Sequence, residues 1–224
     1  MTLSVGVLAS GRGSNFAVLA DHAARGAGWR VTRLLTDRPE AGALHLAAER
    51  GIPAEVVSPT PAADFAGRLT GALEGVDLVL LAGYLRLIPA GVVAQFQNRI
   101  LNLHPALLPA FGGEGMYGMR VHKAVLESGA RVTGATVHLV DEVYDRGRIL
   151  AQWPVPVQQG DTPDTLAARV HQVEHRLYPA VVDAVIDSLA EGQDPHPPDF
   201  SRAAFALASE LPTSIAFFTP RQEP

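Results

Sequence analysis

The 224-residue chain contains no cysteine. That absence excludes disulfides, thiolate nucleophiles and zinc–thiolate centres, and it leaves the redox compartment open. Basic residues are not in excess either. Eighteen Lys and Arg against 23 Asp and Glu give a formal charge of −5, which argues against general affinity for nucleic acid. The apolar start, Met1 to Ala9, has no basic segment before it and is too short to span a bilayer. It reads as a first strand rather than a signal peptide, so neither a membrane nor a nucleic acid is expected as partner. No internal repeat is visible. What is there is a globular composition, with 47% hydrophobic and 18% charged residues, long enough for one domain with a large core plus an appendage. We expect a cytoplasmic enzyme.

Strand-like and helix-like segments alternate through the first half. Strands are expected at Leu3–Ala9, Arg30–Thr36, Pro53–Val57, Val76–Ala82 and Ile100–Leu103. Helices are expected between them, at Phe16–Arg25, Ala41–Arg50, Asp64–Leu73 and about Pro89–Phe96. The run Val76 to Ala82 is almost continuously apolar, as a central parallel strand covered on both faces should be. This βαβ order predicts an α/β fold with a doubly wound, mostly parallel sheet, whose ligands gather beyond the carboxyl ends of the strands. The pattern then changes. A glycine-rich loop, Phe111 to Gly118, leads into a helix at Val121–Glu127 and an antiparallel strand pair, Val132–Val140 and Ile149–Val157. A long helix capped by Thr162 or Asp161 runs to about Leu189. The expected domain is therefore 1–192, with 193–224 as a tail of unassigned role.

Asn102 and His104 end the strand that begins at Ile100, and period-two geometry puts them on one face. Pro105 keeps His104 extended up to the strand tip. An amide beside an imidazole can donate two hydrogen bonds to a carbonyl that becomes an oxyanion. The bland alternative is a strand end that satisfies local backbone groups. Ser10-Gly11-Arg12-Gly13-Ser14-Asn15 lies between the first strand and first helix, where free amides and the positive helix end make an anion site. It lacks the third glycine of a dinucleotide fingerprint, and a plain tight turn is the alternative. His171-Gln172-Val173-Glu174-His175 formally matches the H-x-x-E-H pattern of inverted zinc peptidases, with Glu191 or Glu210 as the remaining ligand, but an ordinary polar helix face fits as well. Read alone, His138 is a hydrogen-bonded core residue, Asp145 a solvated loop carboxylate and Arg86 a surface arginine at the carboxyl edge of the sheet.

Taken in order, the motifs Gly11 to Asn15, Leu81 to Ile88, Asn102 to Pro109, Gly134 to Glu142 and Glu174 to Pro179 resemble one family. It is the folate-dependent formyltransferases of purine synthesis, the phosphoribosylglycinamide formyltransferases (GAR transformylases), over residues 3 to 190. The resemblance implies a formyltransferase-type Rossmann-like core. It implies catalytic roles for Asn102, His104 and Asp145, and a substrate phosphate on Gly13, Ser14 and Asn15. Glu174 then contacts the ribose side of the substrate, which displaces the zinc reading. Leu85, Arg86, Leu87 and Ile88, with Asn102, would line the pterin and formyl pocket. The implied co-substrate is 10-formyltetrahydrofolate, the acceptor is glycinamide ribonucleotide, no metal is needed, and the enzyme is a monomer or homodimer. Formyltetrahydrofolate hydrolysis, or formyl transfer to another amine, is the alternative. The purine enzyme is expected over the tRNA-directed and hydrolytic relatives, because neither the basic surface of the former nor the N-terminal regulatory domain of the latter is expected in a chain whose core is read from residue 3. A basic residue that contacts folate in some members would fall near Ala62, within Pro61-Ala62-Ala63. In the implied mechanism Asn102 and a protonated His104 stabilise the oxyanion, and Asp145 favours the imidazolium.

Overall fold

A computed structural model describes residues 2–60 and 64–196. Segment 61–63, including Ala62, and residues 197–224, including Glu210 and most of the expected tail, lie outside the described residues. The chain runs β1 (Leu3–Leu8), α1 (Ser14–Ala23), β2 (Trp29–Thr36), α2 (Gly42–Glu49), β3 (Ala54–Val56), α3 (Phe65–Ala72) and β4 (Leu78–Leu81). It continues with α4 (Ala90–Gln95), β5 (Ile100–His104), α5 (Met119–Glu127), β6 (Val132–Leu139), β7 (Ile149–Pro156) and α6 (Pro163–Ala190). One seven-stranded sheet has the order β3-β2-β1-β4-β5-β6-β7. The pairs from β3 to β5 are parallel, and β5–β6 and β6–β7 are antiparallel, as the alternation predicts.

The apolar run of β4 divides between two cores because successive side chains point to opposite faces. Leu78 and Leu80 join a core built with α1, α5 and α6, whereas Val79 and Leu81 join one built with α3 and α4. Tyr178 of α6 is fully buried and donates its hydroxyl to the carbonyls of Leu81 and Leu101, at 3.2 and 3.1 Å, which locks the long helix onto β4 and β5. The α6 cap resolves in favour of Thr162, which forms a reciprocal capping box with Thr165. Asp161 instead accepts two hydrogen bonds from Arg169 at 2.8 Å.

Boundaries differ from expectation by a residue or two. α1 begins at Ser14 rather than Phe16, because Gly13 adopts φ 83° and turns the chain directly into the helix. β5 extends to His104, where its ladder with β6 pairs His104 opposite Thr136 and Asn102 opposite His138.

Candidate active site

A cavity of about 480 Å³ opens beyond the carboxyl ends of β1, β4 and β5. Its wall includes Arg12, Asn15, Leu85, Arg86, Leu87, Ile88, Asn102, His104, Asp145 and Glu174, so residues spread over more than 160 positions of sequence meet there. Gly13 and Ser14 form the turn that delivers Arg12 and Asn15 to it. A Cβ on Gly13 would lie 2.7 Å from Ala43, so this glycine serves the packing of the turn on α2 as well as backbone access.

At one end of the cavity four polar side chains converge. Asn102 Nδ2 lies 3.0 Å from His138 Nε2 and donates to Asp145 Oδ1 at 3.4 Å. His138 Nδ1 donates to the Leu139 carbonyl at 2.8 Å, and its Nε2 also lies 3.5 Å from Asp145 Oδ1. Asp145 Oδ2 accepts from the Gly113 backbone N–H at 2.9 Å and lies 3.5 Å from His104 Nδ1. His104 Nε2 donates to the Phe111 carbonyl at 2.8 Å. Asp145 reaches the cluster from the β6–β7 connection with φ 56°, a backbone region that side-chain-bearing residues seldom adopt and that concentrates at functional sites.

Two sequence expectations change here. Asp145 is not a solvated loop carboxylate, since its side chain is only 9% exposed. Its burial works to raise its pKa, but the His138 hydrogen bond, the nearby His104 and the Gly113 amide together bring it below the ordinary value, so it is ionised. His104 is not the standing imidazolium. Burial lowers its pKa by more than Asp145 and the Phe111 carbonyl raise it. Its Nε2 donor and the Asn102 amide are both engaged with protein acceptors, so a substrate oxygen must displace those partners to receive either hydrogen bond.

His138 is the member of this cluster that sequence reasoning left in the core. It is buried, but it sits on the rung opposite Asn102, and only the strand register could have revealed that. His122 of α5 was also missed. It is buried at the cavity wall with Nδ1 unpartnered among the described residues, and burial, followed by His171 and His104, pushes its pKa down to about 4.

At the other end, Asn15 Nδ2 donates to Glu174 Oε2 at 2.9 Å, joining the α1 turn to α6. Glu174 is buried, which raises its carboxyl pKa, with Asn15 and His175 working against that rise. The zinc reading of this stretch finds no third ligand. His171 and His175 stack with ring centres 6.3 Å apart, Glu191 lies about 24 Å further along the same helix, and Glu210 is outside the described residues. Among the described residues no three metal-ligating side chains converge, and none of their helices is long and apolar enough to cross a membrane.

Leu85, Leu87 and Ile88 give the cavity an apolar wall beside the polar cluster. The fold and site together define a doubly wound α/β protein with an amide–imidazole–carboxylate cluster at its sheet edge and a turn whose Arg12 and Asn15 reach the same cavity. The chain belongs to the formyl transferase family, whose model matches residues 3–182. It is 48% identical over 193 residues to a chloroplastic phosphoribosylglycinamide formyltransferase of Arabidopsis thaliana, covering 81% of this chain and 64% of that protein. Crystal structures of glycinamide ribonucleotide transformylase 1 from Geobacillus kaustophilus and Symbiobacterium toebii are each 38% identical, with TM-scores of 0.77 and 0.78. The first is covered completely by 83% of this chain and the second to 89% by 84%. The chain thus spans about three fifths of its plant relatives and nearly all of its bacterial ones.

Proposed function

We propose that the protein transfers the formyl group of 10-formyltetrahydrofolate to the amine of glycinamide ribonucleotide, a step of purine biosynthesis. What supports this reading most is one cavity that joins the Asn102, His104, His138 and Asp145 cluster to Arg12, Asn15 and Glu174. The turn amides and Arg12 receive the phosphate, and Glu174 accepts from the ribose hydroxyls. Leu85 to Ile88 and Asn102 hold the formyl donor. The relatives' names favour formyl transfer to the same acceptor, and a catalytic domain of residues 1–192 acting as a monomer or homodimer in the cytoplasm completes the proposal.

The acceptor's neutral amine attacks the formyl carbon, and the carbonyl electron pair moves onto oxygen. An α-amino group of ordinary pKa near ~8 supplies enough neutral amine at pH 7. The formyl oxygen replaces the Phe111 carbonyl at His104 Nε2 and takes a hydrogen bond from the Asn102 amide, so both donors meet the charge as it grows. Ionised Asp145 stabilises positive charge on His104 and on the attacking nitrogen. It helps the nitrogen's surplus proton on its way to N10 of the folate. The C–N10 bond then breaks, leaving the formamide and tetrahydrofolate. Oxyanion stabilisation and proton movement are supplied by side chains, so no metal enters the proposal.

The experiment that tests it offers purified protein the formyl donor with glycinamide ribonucleotide, with glycinamide alone, or with another primary amine. Formylation of the ribonucleotide at least about a hundredfold faster than of glycinamide is expected, since the phosphate and ribose contacts supply binding energy used in the transition state. Equal rates for all amines would point to a different acceptor.

A further inference from the structure

His122 sits on α5 beside Val121 and one turn before Val125, both fully buried in the core, and α5 packs against α6. Those neighbours fix where the ring lies, and the residue is only 1% exposed. A buried imidazole that has given up water without gaining a partner is costly, and such a group calls for an explanation. Of its two ring nitrogens only Nδ1 is both enclosed and unpartnered, so Nε2 is the one with access to the cavity that His122 lines. An enclosed N–H without an acceptor is rarer than an enclosed lone pair without a donor. That preference assigns the ring proton to Nε2 and makes His122 a donor to the cavity. Burial, the largest influence on the ring, keeps it uncharged at pH 7.

Its place in the cavity narrows what it meets. The two ionisable groups whose charge reaches it are His104, in the polar cluster, and His171, whose Nε2 lies 3.8 Å from Glu174 Oε2 at the opposite end. His122 thus stands between the two ends. The inference rests on the formyl-transfer reading above, in which the acceptor's amine meets the cluster while its ribose and phosphate meet Glu174 and the Arg12 turn. A single amide joins those parts of the acceptor. The formyl oxygen, the ribose hydroxyls and the phosphate already have partners, which leaves the carbonyl of that amide as the strong uncharged acceptor of the stretch. We infer that His122 holds the acceptor's linking amide: Nε2–H donates to the amide carbonyl oxygen and aims the amine at the formyl carbon. A neutral donor suits the task. The amine nitrogen becomes positive as it attacks, and an imidazolium so near would oppose that charge. His122 contacts the substrate and takes no proton from it.

The test begins with His122→Leu, which fills the space and removes the donor. Its kcat/KM for the ribonucleotide should fall about tenfold, the scale of one hydrogen bond, while the KM of the formyl donor stays within about twofold. His122→Gln, whose amide N–H reaches the place of Nε2, should recover to within about threefold of wild type. His122→Asn, one carbon shorter, should not recover, and this polar pair carries the test if the leucine variant fails to fold. A second acceptor separates the contact from general damage to the site. It is a carbocyclic ribonucleotide analogue, stable at its C–N bond, with the amide carbonyl reduced to methylene. With that acceptor wild type and His122→Leu should agree within about twofold, because no carbonyl is left to receive the hydrogen bond. An unchanged kcat/KM in His122→Leu, equal losses with both acceptors, or a glutamine variant no better than the asparagine one would overturn the inference alone. A wild-type protein that transfers no formyl group to the ribonucleotide would overturn the functional reading beneath it.

Discussion

At His104 two electrostatic effects compete. Burial disfavours the charged ring, and the Asp145 carboxylate 3.5 Å away favours it, with burial the larger. The resting imidazole is therefore neutral at pH 7, and charge is called up only when the substrate brings it. Two outcomes follow at this scale. Replacing His104 by Ala should lower kcat by about 10² to 10⁴, the range for a lost acid–base or oxyanion group, with ribonucleotide affinity within about threefold of wild type. Steady-state rates and calorimetric titration check the two halves separately, and near-normal turnover would remove His104 from the mechanism. NMR titration of the His104 ring should place its pKa below the ordinary 6.5, and in Asp145→Asn it should fall further, because the charge that raised it is gone. A rise in that variant would reverse the assigned coupling. The residue scale also sets a limit on one obvious probe. Gly13→Val would collide with Ala43 as well as obstruct phosphate, so weakened ribonucleotide binding in that variant cannot be read as anion recognition alone.

Individual elements were largely legible, and their interlocking was not. The periodicities of the apolar residues and the turn residues between them locate the seven strands and six helices of the described residues, and most of these elements have a face or two faces to bury, the exposed edge strand β3 being the exception. The Asn102–His104 pair was legible for the same reason, since both lie at one strand's end. His138 was not, because a buried histidine in an apolar strand looks alike whether it faces a leucine or an amide. Only the antiparallel register of β6 on β5 sets it opposite Asn102. Asp145 depended on the β6–β7 connection folding back over the sheet, and Gly147 makes that return possible. A Cβ there would lie 1.8 Å from the Leu139 carbonyl oxygen. Gly147→Ala should therefore cost more than about 2 kcal/mol of stability, as forced backbone displacement does, and should depress kcat more than either substrate's KM. Chemical denaturation and steady-state kinetics measure these. A variant as stable and active as wild type would show that the connection carries Asp145 without this close approach.

For the whole molecule, the sheet order makes the site. Four parallel crossovers bring the first-strand turn, the Leu85–Ile88 segment and the β5 tip to one edge, and the antiparallel addition of β6 and β7 carries Asp145 to the same edge. That architecture was readable from the alternation of elements. The 2.8 Å ion pair of Asp37 with Arg86 was not, since the two residues are 49 positions apart and meet only because β2 and β4 flank β1. The central claim is that this edge couples loss of the donor's formyl group to its arrival on an amine. The most direct measurement is the ratio of formyl groups transferred to donor molecules consumed, using chelator-treated protein with and without glycinamide ribonucleotide. A ratio near one is expected with the ribonucleotide, and negligible donor consumption without it. Donor consumption that ignores the ribonucleotide, or turnover that chelation abolishes and zinc restores, would contradict it.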